Sequence, residues 1–285
     1  MDARTKLTGI IGYPVEHSFS PAMHNAAFVA CGLNWVYLAF AVRKELLADA
    51  LAGVRGLGLV GINVTVPHKE EVLPLLDELD PLAARIGAVN TVVNEGGRLK
   101  GYNTDAYGFL TSLREEGFDP AGKKAVILGA GGAARAVAFG LAGAGLGALV
   151  IANRSPERAR ELAAALKKNI PALQVEWARL RPEEVAPALR EADLLVQTTS
   201  VGMYPKIDVS PLEDYSCLRP GLWVYDLVYN PRQTKFLKAA RAAGCRTLDG
   251  LGMLVHQGAA AFRLWTGLQP PLEVMRQAVV ERLGA

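Results

Sequence analysis

A lysine and an aspartate carry the clearest chemistry in this chain. Lys69 follows the run Asn63-Val-Thr-Val-Pro-His, and Asp105 closes Asn103-Thr-Asp. The strand-like stretch 58–64 ends in a turn stiffened by Pro67, and Lys69 stands just past it. A proline-fixed loop at a strand end holds a side chain still at the sheet edge where α/β proteins place ligands. Asp105 ends a second strand-like run. A lysine and an aspartate on adjacent strand ends can share one proton, which suits chemistry on a carbonyl or an alcohol. Each residue also has a plainer reading. Lys69 fits a solvated position in the first turn of a helix over 68–76, and Asp105 fits the N-cap of the helix that follows it.

The elements that must position these residues alternate along the first third. Strands are expected over 7–11, 36–42, 59–64 and 89–93, and helices over 21–31, 44–53, 68–76 and 105–113. Ser20-Pro21 reads as a cap followed by proline at the first helical position. Glu95-Gly-Gly97 reads as a hairpin turn between 89–94 and 99–102. Such alternation predicts a mostly parallel sheet covered on both faces. After a break at 117–122, strands over 124–128, 148–152, 173–176, 194–197 and 223–226 alternate with helices, including 156–167 and 182–191. This is a second, doubly wound unit. The last forty residues or so, from about Leu248, read as helical.

The bulk numbers narrow the function. With 285 residues, two domains or one large α/β unit are expected. Net charge is +3 and the basic residues are dispersed, so nucleic acid is not an expected partner. Cys31, Cys217 and Cys245 form no CxxC and no Cys/His metal spacing, which suggests reduced thiols in a cytosolic protein. No signal peptide, membrane span or metal site is expected. His17, His24, His68 and His256 read as structural or exposed.

Gly129-Ala130-Gly131-Gly132-Ala133-Ala134 fits the dinucleotide-binding fingerprint, with alanine in the third glycine's place. Gly129 permits the tight turn, Gly131 lets the backbone approach a pyrophosphate, and Ala134 allows close helix–strand packing. The helix N-terminus then offers N–H groups to the phosphates. At the end of the next strand an NAD site carries Asp or Glu for the ribose 2′-hydroxyl. Here Asn153-Arg154-Ser155 stands instead, with Arg158 one turn further. A guanidinium in place of a carboxylate favours NADP, because Arg154 can grip a 2′-phosphate and stack on adenine. The alternative is that Arg154 and Arg158 form a solvated helix face.

Taken together, the motifs resemble the shikimate dehydrogenase family nearly end to end. Gly12-Tyr-Pro-Val-Glu-His17-Ser18-Phe-Ser20-Pro21 with His24-Asn25 is similar to its substrate loop, and Asn63 to Lys69 to its lysine motif. Gly87-Ala-Val-Asn90-Thr91, Gly101 to Gly108, the glycine loop and Asn153-Arg154-Ser155 follow in family order. Thr199-Ser-Val-Gly-Met203, Asp226-Leu-Val-Tyr229-x-Pro231 and Asp249 to Gln257 complete the set.

The resemblance implies reversible NADPH-dependent reduction of 3-dehydroshikimate to shikimate, within chorismate and aromatic amino-acid synthesis. It implies a substrate-binding catalytic domain over 1–113, completed by C-terminal helices over 248–285 that pack back on it. A Rossmann NADP-binding domain would occupy 114–247. Carried over, Lys69 and Asp105 would be the catalytic pair, and Ser18 and Ser20 would hold the substrate carboxylate, though Ser20 also suits a helix cap. Thr65, Asn90, Tyr229 and Gln257 would contact the ring substituents or hold the pocket. Gly129 to Ala133, Asn153, Arg154, Ser155, Arg158, Thr199, Leu227, Gly250 and Met253 would contact the cofactor, Met253 near the nicotinamide. The chain would be cytoplasmic, a monomer or a homodimer. The alternatives are an NAD-using quinate/shikimate dehydrogenase and a non-catalytic, metabolite-sensing relative.

Overall fold

The computed structural model describes residues 1–284. It divides into two compact units, Met1–Gly108 with the chain from Val255 onward, and Phe109–Leu254.

The first unit contains β1 (Lys6–Gly12), α1 (Ser20–Ala30), β2 (Trp35–Ala41), α2 (Leu47–Gly56), β3 (Gly61–Val64), β4 (Glu78–Leu79), α3 (Pro81–Ile86), β5 (Thr91–Glu95), β6 (Arg98–Tyr102) and the start of α4 (Asp105–Glu115). Its sheet order is β2-β1-β3-β5-β6-β4. Only β5 opposes its neighbours, pairing antiparallel with β3 and β6. The sheet is therefore mixed, because the tight hairpin at Gly96-Gly97 must reverse the chain. Both glycines have positive φ there, and Asn94 Oδ1 accepts the Gly97 N–H at 2.7 Å. Leu47, Leu51 and Val54 of α2 pack with Ile11, Ile62, Val64 and Val92 of the sheet.

Three local expectations change. Residues 68–76 form turns and a short 3₁₀ segment, Leu73–Leu75, instead of a helix. Pro74 has no N–H for an intrahelical bond, and only Val72 N–H reaches back four residues, to His68 O. Ser20 is the first residue of α1 and not a side-chain cap; the Ser18 hydroxyl accepts the Ser20 N–H at 3.3 Å. A helix absent from the sequence reading, α3, has clear ends: the Asp80 carboxylate accepts from Leu82 and Ala83, Pro81 opens the first turn, and Gly87 closes it at φ 69°.

The second unit carries β7 (Lys124–Leu128), α5 (Gly132–Gly143), β8 (Ala148–Asn153), α6 (Pro156–Asn169), β9 (Gln174–Arg179), α7 (Pro182–Glu191), β10 (Leu194–Gln197), β11 (Trp223–Asp226), α8 (Lys235–Ala242), β12 (Arg246–Leu248) and the start of α9 (Leu251–Thr266). All its strand pairs are parallel, in the order β12-β11-β10-β7-β8-β9. This is the doubly wound arrangement, with its switch point where β7 lies between β8 and β10. Val126, Leu128, Leu195, Val224 and Phe236 lie in one core cluster. The element α8–β12 adds the sixth strand; Thr234 caps α8 by accepting the Leu237 N–H at 3.1 Å.

The rest of α9 and α10 (Leu272–Gly284) belong to the first unit. α10 packs on α1, and Trp265 Nε1 donates to Val92 O at 3.0 Å. No helix among the described residues is long and apolar enough to cross a membrane.

Candidate active site

Lys69 and Asp105 meet. Lys69 Nζ donates to Asp105 Oδ2 at 2.5 Å, with side chains 15% and 5% exposed. Lys69 sits in the turn after β3, tied to the segment leading into β5 by its carbonyl, which accepts the Val89 N–H at 2.8 Å. Asp105 begins α4, but its carboxylate does not cap the helix. Asn103 Oδ1 takes that task, accepting the Ala106 N–H at 3.2 Å. With the end of α4 served by Asn103, both oxygens of Asp105 turn to other partners.

One partner is Lys69; the other is Asn90, whose Nδ2 donates to Asp105 Oδ1 at 2.9 Å. The Thr104 N–H donates to Asn90 Oδ1 at 2.7 Å, which determines the end of the Asn90 amide that faces Asp105. Asn90 Nδ2 also lies 3.3 Å from Gln257 Oε1 on α9. Behind Asn90, Asn63 Nδ2 donates to Asn90 O and to Thr91 Oγ1, and Tyr37 OH donates to Asn63 Oδ1 at 2.7 Å. All these groups except Lys69 and Gln257 are buried. A connected buried polar network of this kind holds a charged pair in one geometry. Tyr37, Asn63, Thr91 and Thr104 were not singled out from sequence as site residues. The signal was present as polar side chains inside apolar strand runs, as in Ile62-Asn63-Val64.

Thr65 follows β3 directly, while Ser18 lies in the loop between β1 and α1 and Ser20 opens α1. Thr65 N–H donates to Ile11 O at 2.9 Å, and the missing Cβ of Gly12 leaves room for the Thr65 methyl. Ser18 is half-buried and Ser20 buried. His24 is fully buried and stacks on Tyr37 at 4.5 Å; burial pulls its pKa down to about 3, so it is neutral at working pH. His68 Nε2 donates to Val42 O at 2.7 Å, His256 is buried, and His17 is exposed. No three metal-ligating side chains gather among the described residues. The cysteines are unpaired, with Cys217 and Cys245 buried.

In the second unit the glycine loop leaves β7 at the switch point. Gly129 has φ 118°, and a Cβ there would overlap the Thr198 hydroxyl, which itself donates to Leu128 O at 2.8 Å. Gly131 is the N-cap of α5, and its Cβ position faces open space. Ala130, Gly132 and Ala133 complete the turn into that helix, whose first N–H groups are available to an anion. Thr199, after β10, is held by Gln197 Oε1, which accepts from its N–H and its hydroxyl. Asn153 ends β8, with Arg154 and Ser155 exposed beyond it and Arg158 exposed on α6. A cavity of about 300 Å³ lies beside them, lined in part by Asn153, Arg154 and Thr199. These residues fit an adenine dinucleotide carrying a 2′-phosphate: a glycine turn open toward a helix N-terminus, and a guanidinium where a carboxylate would repel the phosphate.

The loop after β11 carries Leu227 and half-buried Tyr229, and it is anchored by Asp226. Val228 N–H donates to Asp226 Oδ1 at 3.0 Å and the Thr234 hydroxyl donates to Oδ2 at 2.7 Å. Gly250 packs directly on Leu227 O, where any Cβ would clash, and Met253 is buried in the first turn of α9. Burial pushes the Asp226 carboxyl up to about 7 from its ordinary 3.8. The folded chain therefore holds a proton that the unfolded chain releases. That contribution to stability is lost as pH rises from about 4 to about 7. Asp226→Asn should flatten this part of the profile, which urea midpoints measured across the range would show. An unchanged slope would mean that Asp226 does not titrate there.

These features define a class: a two-unit α/β protein in which a Lys–Asp pair with a buried carboxylate sits in one unit and the other has the doubly wound fold of dinucleotide-binding proteins. Family models match in three stretches. Residues 10–92 match the shikimate dehydrogenase substrate binding domain, 112–227 shikimate / quinate 5-dehydrogenase, and 250–280 the shikimate 5′-dehydrogenase C-terminal domain. The shikimate dehydrogenase (NADP(+)) of Moorella thermoacetica is 60% identical over 284 residues, 99% of this chain and 95% of that protein. The crystal structure of Thermus thermophilus shikimate 5-dehydrogenase with NADP(H) and shikimate superposes with a TM-score of 0.86 at 43% identity, covering 98% and 99% of the two chains. A Corynebacterium glutamicum quinate dehydrogenase, solved with NAD, gives 0.87 at 39%, covering 97% and 99%. The chain belongs to the shikimate dehydrogenase family.

Proposed function

We propose that this chain is an NADP-dependent shikimate dehydrogenase, which reversibly reduces 3-dehydroshikimate to shikimate in chorismate and aromatic amino-acid synthesis. The observation that carries the reading is the Lys69–Asp105 pair held by Asn90, in a chain 60% identical to a shikimate dehydrogenase (NADP(+)).

The roles follow from the chemistry of each group. The first unit binds substrate and the second binds NADP. Bound NADPH supplies the hydride. Lys69 stands at the ketone oxygen, stabilises the charge that develops there, and delivers the proton. Asp105 aims Lys69, and Asn90 holds the second Asp105 oxygen so that the first faces the ammonium. In the oxidation direction the same pair takes the hydroxyl proton. Ser18 and Ser20 donate hydroxyls to the substrate carboxylate, while Thr65, Asn90 and Gln257 bind ring hydroxyls. Gly129 to Ala133 receive the pyrophosphate, Asn153, Arg154, Ser155 and Arg158 the adenosine end, and Thr199, Leu227, Gly250 and Met253 the remainder of the cofactor. Three unpaired cysteines suit a cytoplasmic setting.

Shikimate should be strongly preferred over quinate. Quinate has a saturated ring and an extra hydroxyl on the carbon bearing the carboxylate, beside Ser18 and Ser20. Misplacement at that end moves C3 away from the roughly 3–3.5 Å approach that transfer requires, so kcat/KM falls and not binding alone. Steady-state kinetics with both alcohols and NADP measures this. Comparable kcat/KM values would place the chain with the dual-specificity dehydrogenases.

A further inference from the structure

Arg154 is not the only guanidinium at the cavity beside β8. Arg181 lines the same space, together with Asn153, Thr199, Val201 and Asp214. The register explains the convergence. Asn153, the last residue of β8, pairs with Arg179, the last residue of β9. Leu180 N–H then donates to Asn153 O at 3.1 Å, so the two strands finish level with each other. Arg154 is the first residue past one strand and Arg181 the second past the other. Adjacent strands lie about 4.8 Å apart, so two arginine side chains leaving their carboxyl ends can reach one anion.

Neither arginine is engaged elsewhere. Among the described residues no carboxylate pairs with Arg154 or Arg181. Two acidic residues line the cavity, Glu213 and Asp214. Asp214 is committed to Ser216, accepting from its N–H at 2.8 Å and its hydroxyl at 2.7 Å, and among the described residues neither carboxylate pairs with Arg154 or Arg181. Glu184, in the first turn of α7, accepts the Arg179 N–H at 2.8 Å. Arg181 also precedes the N-terminus of α7, where a cation is disfavoured by the helix dipole unless an anion joins it.

We propose that Arg181 is a second reader of the adenosine 2′-phosphate, closing on it from the β9 side while Arg154 holds it from the β8 side. The proposal rests on the NADP reading above and extends it to a residue outside the Asn153–Arg158 segment. A phosphate monoester presents three oxygens, so two guanidinium forks bind it without competing. Cofactor choice is then set by two strand ends, and an acid at β8 alone would not convert the site to NAD.

Calorimetric titration of the intact protein with 2′,5′-ADP and with 5′-AMP separates the possibilities. Arg181→Ala should weaken 2′,5′-ADP about tenfold, the typical size of one lost charge-assisted contact. Its affinity for 5′-AMP should stay within about twofold, and Arg181→Lys should restore part of the loss. KM for NADP should rise in parallel while KM for NAD does not. Unchanged 2′,5′-ADP binding would overturn the proposal. Equal losses for both nucleotides would overturn it too, since Arg181 would then be an adenine-stacking or structural residue. A wild-type protein that fails to distinguish 2′,5′-ADP from 5′-AMP would instead overturn the NADP reading, and is recognised before any variant is made.

Discussion

Lys69→Ala should lower kcat by about 10²–10⁴-fold, the usual cost of removing an acid–base group from the reacting atom. The lysine is the cationic group bonded to Asp105, and Asn90 and Gln257, on the other side of the pair, carry amides that cannot give up a proton at working pH. Substrate affinity should change far less, because Ser18 and Ser20, the proposed holders of the carboxylate end, are left untouched. Asp105 would be left buried without its cation, and breaking one side of such a pair can cost about 3–5 kcal/mol. The retained Asn90 donor offsets part of this, so the variant should fold with a lowered melting temperature. Lys69→Arg keeps the charge but not the compact ammonium, and should recover stability more than turnover. Kinetics and thermal melting on both variants make the comparison. A kcat within threefold of wild type would take Lys69 out of the reaction.

Arg154→Ala should raise KM for NADP by roughly 10–100-fold, corresponding to a charge-assisted contact of about 1.5–3 kcal/mol. KM for NAD should hardly move, because NAD has no 2′-phosphate. The side chain stands just past β8, exposed and beside the cavity. Its loss therefore opens no core and changes no buried bond. Equal effects on the two cofactors would mean that Arg154 supports the adenosine generally and does not read the phosphate.

The residues proposed to carry the chemistry stood out in the sequence because they lie where strands end. Lys69 after Pro67, Asp105 after Asn103, and the glycine turn after β7 are each marked by a residue whose backbone behaviour is distinctive. The network behind them was not legible. Asn63, Asn90 and Thr91 stood in plain view, but their bonds depend on β5 running antiparallel to β3, a register that no single segment encodes. Residues 68–76 misled for a physical reason. Val72, Leu73, Leu75 and Leu76 mimic a helical face, yet Pro74 removes the bond that would propagate it. The elements α3 and β12 have 6 and 3 residues, too few turns or pleats for hydrophobic periodicity to register. In α3 the caps were the better signal. The Asp105 cap reading failed because Asn103, two residues earlier, serves the helix end instead.

The most direct test follows NADPH oxidation by its absorbance when 3-dehydroshikimate is added to the purified chain, with NADH as the parallel cofactor and shikimate and quinate with NADP and NAD in the reverse direction. The expected result is rapid oxidation of NADPH, far slower oxidation of NADH, and reverse turnover of shikimate well above that of quinate. No oxidation of either cofactor, from folded protein that still binds 2′,5′-ADP, would contradict the account and make the chain a sensor built on a dehydrogenase fold.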